Sequence, residues 1–152
     1  MIIFLDIDGV MVVAKSWQKM EILHDGFPAF SKNSIATLQK ILDKKVKIII
    51  TSSHKSKFSI EELKCIFLNR GLKIDELQKL PDNNSFLSRK DEITRWLGQN
   101  QINEDFVIID DDSSLYDLPD TIKRFLIHTN PTIGLIPDHL NQLRDLFENS
   151  LA

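Results

Sequence analysis

Short apolar runs alternate with longer amphipathic segments along this chain of 152 residues. The three clearest runs, Ile2–Leu5, Val46–Thr51 and Phe106–Ile109, are rich in β-branched and aromatic residues and predict buried strands. Two weaker runs, near Leu77–Leu80 and at Phe125–His128, predict shorter strands. Because strands that alternate with helices usually pair in parallel, the pattern predicts an α/β fold with a central parallel sheet of about five strands and right-handed crossovers.

The segments between the predicted strands show helical spacing and follow polar capping residues. Ser59 and Glu62 form a capping-box pair, and Gly71 is expected to end that helix as its C-cap. Residues 10–28 show no such period and end in turn residues, so they predict an irregular excursion or hairpin over the end of the first strand. The same reasoning predicts N-caps for the other helices at Ser31, Ser88 and Asp138.

The composition is that of an ordinary globular protein. The chain is 42% hydrophobic and 27% charged, and its length fits a single domain spanning residues 1–152. A net charge of −3 gives no support for a broadly basic nucleic-acid surface. Cys65 is the one cysteine, so no disulfide can form within the chain, and no apolar run approaches the length of a transmembrane helix. We therefore expect a cytoplasmic monomer without membrane contact.

Candidate chemistry begins at the end of the first predicted strand, where Asp6 and Asp8 precede Gly9. Strict strand geometry would aim the two carboxylates in the same direction, and the glycine allows the chain to turn away at once. Paired acids of this kind suit a hard cation and phosphate chemistry, with one carboxylate as nucleophile and the other as acid and base. An ordinary turn is the alternative interpretation of this segment.

Other polar residues follow the ends of the neighbouring predicted strands. Because parallel strands share a direction, residues that end different strands converge on one edge of the sheet. Each has a simpler interpretation, as a strand end, a turn, a helix cap or a solvated residue of a first helical turn. Together they form a set suited to phosphoryl transfer. Besides Asp6 and Asp8, the set contains Thr51, Ser52, Arg89, Lys90, Asp110 and Asp111.

These motifs, in this order, resemble the haloacid dehalogenase (HAD) superfamily of phosphohydrolases. DIDGV resembles the first motif of that superfamily, IIIT the second, Arg89 or Lys90 the third, and VIIDDD the fourth. The resemblance implies a three-layer Rossmann-like fold with a squiggle and flap after the first strand and no large cap. More narrowly, TSSHK, RKDEITRWL and TNPTIGL resemble the HAD domain of Swiss-army-knife RNA repair proteins.

The resemblance also implies roles. Asp6 would be the nucleophile that becomes an aspartyl-phosphate, and Asp8 the general acid and base. Mg²⁺ would be held by Asp6, the backbone carbonyl of Asp8, and Asp110 or Asp111, although the third aspartate, Asp112, leaves that choice open. Thr51 and the following amide, that of Ser52, would bind the phosphoryl group. For the third motif, which is usually lysine, the narrower resemblance favours Arg89 over Lys90.

The resulting hypothesis is a Mg²⁺-dependent phosphatase acting on a small phosphorylated molecule or a nucleic-acid end. A receiver-like phosphoacceptor domain and a catalytically quiet binding module are the alternatives. Trp17 on the predicted flap, with nearby lysines, has the aromatic and basic character that holds single strands without reading sequence. The simpler interpretation is that Trp17 packs the flap onto the body and that the lysines are solvated. The lysines concerned are Lys15, Lys19, Lys55 and Lys57.

Overall fold

The computed structural model describes residues 1–15 and 17–148. Within them, a parallel sheet has the strand order β3-β2-β1-β4-β5, which confirms the predicted fold class. Each strand end lies within one residue of its predicted position. The strands are β1 Ile2–Leu5, β2 Lys47–Ile50, β3 Glu76–Lys79, β4 Phe106–Asp110 and β5 Leu126–His128. The helices are α1 Lys32–Leu42, α2 Ile60–Leu68, α3 Arg89–Gln99, α4 Asp120–Lys123 and α5 Asp138–Glu148, with short 3₁₀ helices at Ser53–Ser56 and Ser113–Asp117.

Hydrophobic cores lie on both faces of the sheet. Successive side chains of a strand point to opposite faces, and in β1 Ile3 and Leu5 pack into a core with residues of α1, α2 and α5. Ile2 and Phe4 point the other way and pack with residues of α3 and α4. This three-layer arrangement explains why the central strands are continuous apolar runs, as expected for a parallel sheet covered on both sides.

The helices begin where the capping residues predict. The hydroxyls of Ser31, Ser59 and Ser88 each accept a hydrogen bond from a backbone N–H in the first turn of α1, α2 and α3. Asp138 is instead the first residue of α5. An acidic side chain in the first turn stabilises a helix, because the N-terminal end of the helix dipole is positive. None of the described helices is long and apolar enough to cross a membrane.

The second helix ends at Leu68, and its C-cap is Asn69 rather than the predicted Gly71. Gly71 closes the turn that follows. Its φ of +81° is a left-handed conformation that a glycine adopts without steric cost. The Gly71 N–H donates to the carbonyl of Leu68 at 2.9 Å, and the Leu72 N–H donates to that of Phe67 at 3.0 Å. These two bonds are those of a Schellman motif, which satisfies carbonyls that the helix end leaves open.

The segment between β1 and α1 is a tight turn followed by a loop, which we call the flap (residues 13–30). The N–H groups of Val10, Met11 and Val12 all point at the carbonyl of Ile7, at 2.8 to 3.2 Å. In the flap, an isolated antiparallel bridge joins Ile22 to Pro28. The described part of this segment contains no large cap.

Candidate active site

Three aspartates meet at the carboxyl ends of the two central strands. Asp6 follows β1 and Asp110 ends β4, and these strands are hydrogen-bonded neighbours. One carboxylate oxygen from each of Asp6, Asp110 and Asp111 lies within 4.8 Å of the others. Asp6 and Asp110 are buried, at 5% and 0% exposure. The convergence that parallel strands predict is therefore present in the structure.

Gly9 makes this cluster possible. Its φ is +83°, and a Cβ atom at this position would overlap the carboxylate of Asp111. The Gly9 carbonyl also accepts a hydrogen bond of 2.8 Å from the hydroxyl of Thr129, just after β5. A side chain at position 9 would therefore displace Asp111 as well as strain the backbone.

Arg89, the first residue of α3, brings a positive charge to the aspartates. Its Nη1 atom lies 2.6 Å from Asp110 Oδ2, 3.2 Å from Thr51 Oγ1 and 3.4 Å from Asp6 Oδ1. Lys90 presents its backbone N–H to Ser114 Oγ at 3.1 Å. Of the two cations predicted for this position, the structure brings the side chain of Arg89 to the acidic cluster.

Thr51 and Ser52 end the second strand in different ways. Thr51 is fully buried, and its hydroxyl donates to Asp110 Oδ2 at 3.1 Å. The hydroxyl of Ser52 accepts a hydrogen bond of 3.2 Å from the His54 N–H and so caps the 3₁₀ helix that follows. Thr51 thus belongs to the acidic cluster, whereas the Ser52 side chain has a local structural contact.

The electrostatics of the cluster favour a cation. Burial and the negative charge of Asp110 raise the pKa of Asp6 to about 9, although the positive charge of Arg89 lowers it in part. Burial opposes the charge of Arg89, but the carboxylates of Asp110 and Asp6 hold the pKa of Arg89 above its usual value. Carboxylate oxygens are hard ligands, and an excess of them over one arginine fits a divalent ion such as Mg²⁺.

Asp8 lies apart from the three clustered aspartates. Its side chain is 59% exposed, and its Oδ2 atom is 2.9 Å from His54 Nε2. The expectation that Asp6 and Asp8 point the same way is wrong, because β1 ends at Leu5 and the chain enters the tight turn around Ile7. No motif or spacing in the sequence indicates His54 as its partner.

Asp112 caps the 3₁₀ helix after β4. Its N–H donates to Asp110 Oδ1 at 3.0 Å, and its own Oδ1 accepts from the Ser114 N–H at 2.9 Å. Partial burial opposes ionisation, but the bonds from Ser114 hold the pKa of Asp112 below its usual value. Asp112 therefore orients Asp110. Among the described residues, the three aspartates that could hold a metal are Asp6, Asp110 and Asp111.

Lys55 is buried in an ion pair, so it is neither a free basic contact for single strands nor a solvated surface residue, the two interpretations that the sequence allowed. Its ammonium lies 2.8 Å from Glu92 Oε2, and the two side chains are only 4% and 9% exposed. Both interpretations are wrong because the 3₁₀ helix after β2 turns this lysine toward α3. Trp17 is 76% exposed, so the interpretation that it packs the flap onto the body is also wrong.

Arg70, which no sequence motif marks, ties the flap to the end of α2. Its Nη1 atom is 2.6 Å from Asp25 Oδ2, and Nη2 donates to the carbonyls of Phe27 and Pro28, both at 2.9 Å. The guanidinium also lies over the ring of Phe30, 4.8 Å from its centroid. This network fixes the C-terminal part of the flap on the body of the protein.

An open cleft of about 750 Å³ lies beside Arg89. Phe86 forms part of its wall, 94% exposed and with a φ of +53°. Asn83 holds this loop through paired bonds of 2.7 Å to the backbone N–H and carbonyl of Leu87. The cleft therefore adjoins Arg89 and has an aromatic side chain at its wall.

Comparison with known proteins identifies the family. The model for the HAD domain in Swiss Army Knife RNA repair proteins matches residues 2–140, which include every candidate site residue. No curated protein matches the chain. The narrower of the two resemblances drawn from the sequence is therefore confirmed.

Proposed function

Because this chain belongs to the family of HAD domains found in Swiss Army Knife RNA repair proteins, we propose that it is a Mg²⁺-dependent phosphomonoester hydrolase that acts through an aspartyl-phosphate. The observation that carries the proposal is the cluster of Asp6, Asp110 and Asp111 against Arg89. A buried carboxylate nucleophile beside acidic metal ligands and a cation is suited to phosphoryl transfer through a covalent intermediate.

In the proposed reaction, a carboxylate oxygen of Asp6 bonds to phosphorus as the bond to the leaving oxygen breaks. Asp8 gives its proton to that leaving oxygen, which departs as an alcohol. Asp8 then accepts a proton from water as the water oxygen bonds to phosphorus and the Asp6 carboxylate leaves. The products are inorganic phosphate and an alcohol, and both aspartates return to their starting forms.

The remaining site residues hold charge and position. Asp6, Asp110, Asp111 and the backbone carbonyl of Asp8 are the proposed Mg²⁺ ligands. The bound ion would neutralise the crowded carboxylates and the phosphoryl oxygens. Arg89, the hydroxyl of Thr51 and the backbone amide of Ser52 are proposed to stabilise the charge on the transferring phosphoryl group. Lys90 is the alternative cation, which would take this role only if Arg89 did not.

Phosphate release from an aryl phosphate tests the proposal. We expect turnover in Mg²⁺ that stops in EDTA, and an Asp110→Asn variant that needs at least about tenfold more Mg²⁺ for half-maximal rate. A receiver-like domain would instead accumulate a phosphorylated aspartate without turnover, and a quiet binding module would do neither. Absence of turnover at every Mg²⁺ concentration would contradict the proposal.

For the substrate, we propose a phosphate at a nucleic-acid end. The support is the open cleft beside Arg89, with exposed Phe86 at its wall, and exposed Trp17 on the flap. Aromatic faces stack on bases without reading sequence. The family context of RNA repair points the same way.

Matched substrates test this choice. A phosphate-ended oligonucleotide should have a higher kcat/KM than the corresponding mononucleotide, and its kcat/KM should fall steeply with salt. Phe86→Ala and Trp17→Ala should each lower kcat/KM for the oligonucleotide by about 5- to 10-fold, at the lower end of the usual stacking contribution. Hydrolysis of an aryl phosphate by the same variants is the control. Equal turnover of mononucleotide and oligonucleotide, indifferent to salt, would indicate a small phosphomonoester as the substrate.

A further inference from the structure

The proposed acid and base, Asp8, has a specific partner in His54. The imidazole Nε2 atom lies 2.9 Å from Asp8 Oδ2. A ring N–H at Nε2 can donate to this oxygen both when the Asp8 carboxyl group is ionised and when it carries its proton on the other oxygen, so the contact is compatible with both steps of the proposed reaction. The Asp8 side chain is 59% exposed, whereas that of His54 is 23% exposed. The contact therefore joins a largely solvated carboxyl group to a mostly buried imidazole ring.

The His54 ring is fixed from several sides. It packs edge-on against Phe27, with centroids 4.9 Å apart, and lies 6.2 Å from the ring of Phe58. Its backbone N–H donates to Ser52 Oγ at 3.2 Å. Phe27 is held in turn, because its carbonyl accepts from Arg70 Nη2. These contacts hold the imidazole in place on the 3₁₀ helix after β2.

We infer that His54 is a positioning residue that holds the Asp8 carboxyl group in the orientation needed for proton transfer to the leaving oxygen. The inference rests on the proposed phosphatase function. A solvated aspartate samples several rotamers, and only those that face the substrate can transfer a proton. A hydrogen bond from a fixed ring restricts Asp8 to one orientation, while its second oxygen stays available to the reaction.

The test compares two variants on two substrates. His54→Phe keeps an aromatic ring against Phe27 but removes the donor, and His54→Gln keeps a donor near the position of Nε2. For an alkyl phosphate, whose leaving oxygen needs a proton, His54→Phe should lower kcat by about tenfold, with KM nearly unchanged. For an aryl phosphate with an acidic leaving group the loss should stay within about twofold, because little proton transfer is needed. His54→Gln should recover most of the alkyl phosphate rate.

The ratio of the two rates separates positioning from folding. Partial unfolding of a variant lowers the rates on both substrates by the same factor and leaves their ratio unchanged. Equal losses of rate on the two substrates in His54→Phe would overturn the inference. So would a His54→Gln variant whose ratio of alkyl to aryl phosphate rates is as low as that of His54→Phe. A wild-type protein that hydrolyses neither substrate would overturn the proposed function itself, and the inference with it.

Discussion

Two arginines of this protein, the buried Arg70 and the partly buried Arg89, lie in opposite kinds of surroundings. Arg70, at the end of α2, faces one carboxylate, that of Asp25, and fills its other N–H positions with the backbone carbonyls of Ile66, Phe27 and Pro28. Because the N–H groups of this guanidinium already donate to these acceptors, Arg70 has no donor available for a ligand. Its contacts fix the flap and stabilise the fold.

Arg89 is surrounded by an excess of acid. Asp6 and Asp110 lie at 3.4 and 2.6 Å from its Nη1 atom, and Glu92 lies at 3.7 Å from its Nε atom. That Nε atom is buried without a hydrogen-bond acceptor among the described residues. Imperfectly paired charges of this kind lower stability and cluster at functional sites. Arg70 therefore has the surroundings of a residue that stabilises the fold, whereas Arg89 has those of a residue at a functional site.

The largest effect is expected at the acid beside Arg89. Asp6→Asn should lower phosphate release from an aryl phosphate by at least about 10⁴-fold, because it removes the proposed nucleophile. The same change removes a buried acid from a crowded cluster, so the thermal unfolding midpoint should stay level or rise. Activity within tenfold of the parent would contradict the assignment of Asp6 as nucleophile. A lowered unfolding midpoint would contradict the view that the acidic cluster around Arg89 lowers the stability of the fold.

Arg89 itself should show the next largest effect. Arg89→Ala should lower kcat by about 10²- to 10³-fold, as removal of one preorganised charge does. Arg89→Lys should recover part of the loss, since the charge returns without the planar fork. Lys90→Ala is the matched control and should stay within about threefold of the parent. A larger loss in Lys90→Ala than in Arg89→Ala would reverse the assignment of the third motif.

Arg70 should behave in the opposite way. Arg70→Ala leaves Asp25 and backbone carbonyls without their partner, and it should lower the free energy of unfolding by roughly 3 kcal/mol, as removal of one member of a buried pair does. At a temperature where the variant stays folded, kcat on an aryl phosphate should remain within about threefold of the parent. Urea unfolding followed by circular dichroism measures the first effect. An undiminished unfolding free energy would mean that the flap is held by its apolar contacts alone.

The difference between the two arginines also explains which features the sequence predicted. Arg89 follows the cap Ser88 and begins α3, the helix between β3 and β4. Because a helix that connects parallel strands begins at the carboxyl edge of the sheet, strand direction brings Arg89 toward Asp110. Arg70 and Asp25 are 45 positions apart and on no shared strand edge, and their pairing depends on the path of an irregular flap. His54 and Asp8 follow the neighbouring strands β2 and β1, but their contact depends on the 3₁₀ helix and the tight turn after those strands, which the sequence does not mark. Period and strand direction predict regular elements, whereas loop contacts depend on turns that leave no periodic signal.

Taken over a single pH unit, the smallest expected effect is a pair of opposite pH dependences in the metal-free protein. Bonds from Arg70 hold the pKa of Asp25 below its ordinary value, so its stabilisation is present above about pH 4 and is lost as the pH falls further. The pKa of Asp6 is raised to about 9, so the folded state holds a proton that the unfolded state releases. Stability therefore falls as the pH rises from about 4 to about 9, by at most about 1.4 kcal/mol per pH unit for one proton.

Neutral variants test these signs separately. In EDTA, with urea unfolding measured from pH 3 to pH 9, Asp25→Asn should lower stability at neutral pH and flatten the acid-side loss. Asp6→Asn should leave the acid side unchanged and flatten the decline toward pH 9. The two substitutions are chemically the same, so any difference in sign comes from the surroundings of each carboxyl group. Matching pH profiles for the two variants would mean that the surroundings of Arg70 and Arg89 do not differ electrostatically, and the contrast between the two arginines would then rest on packing alone.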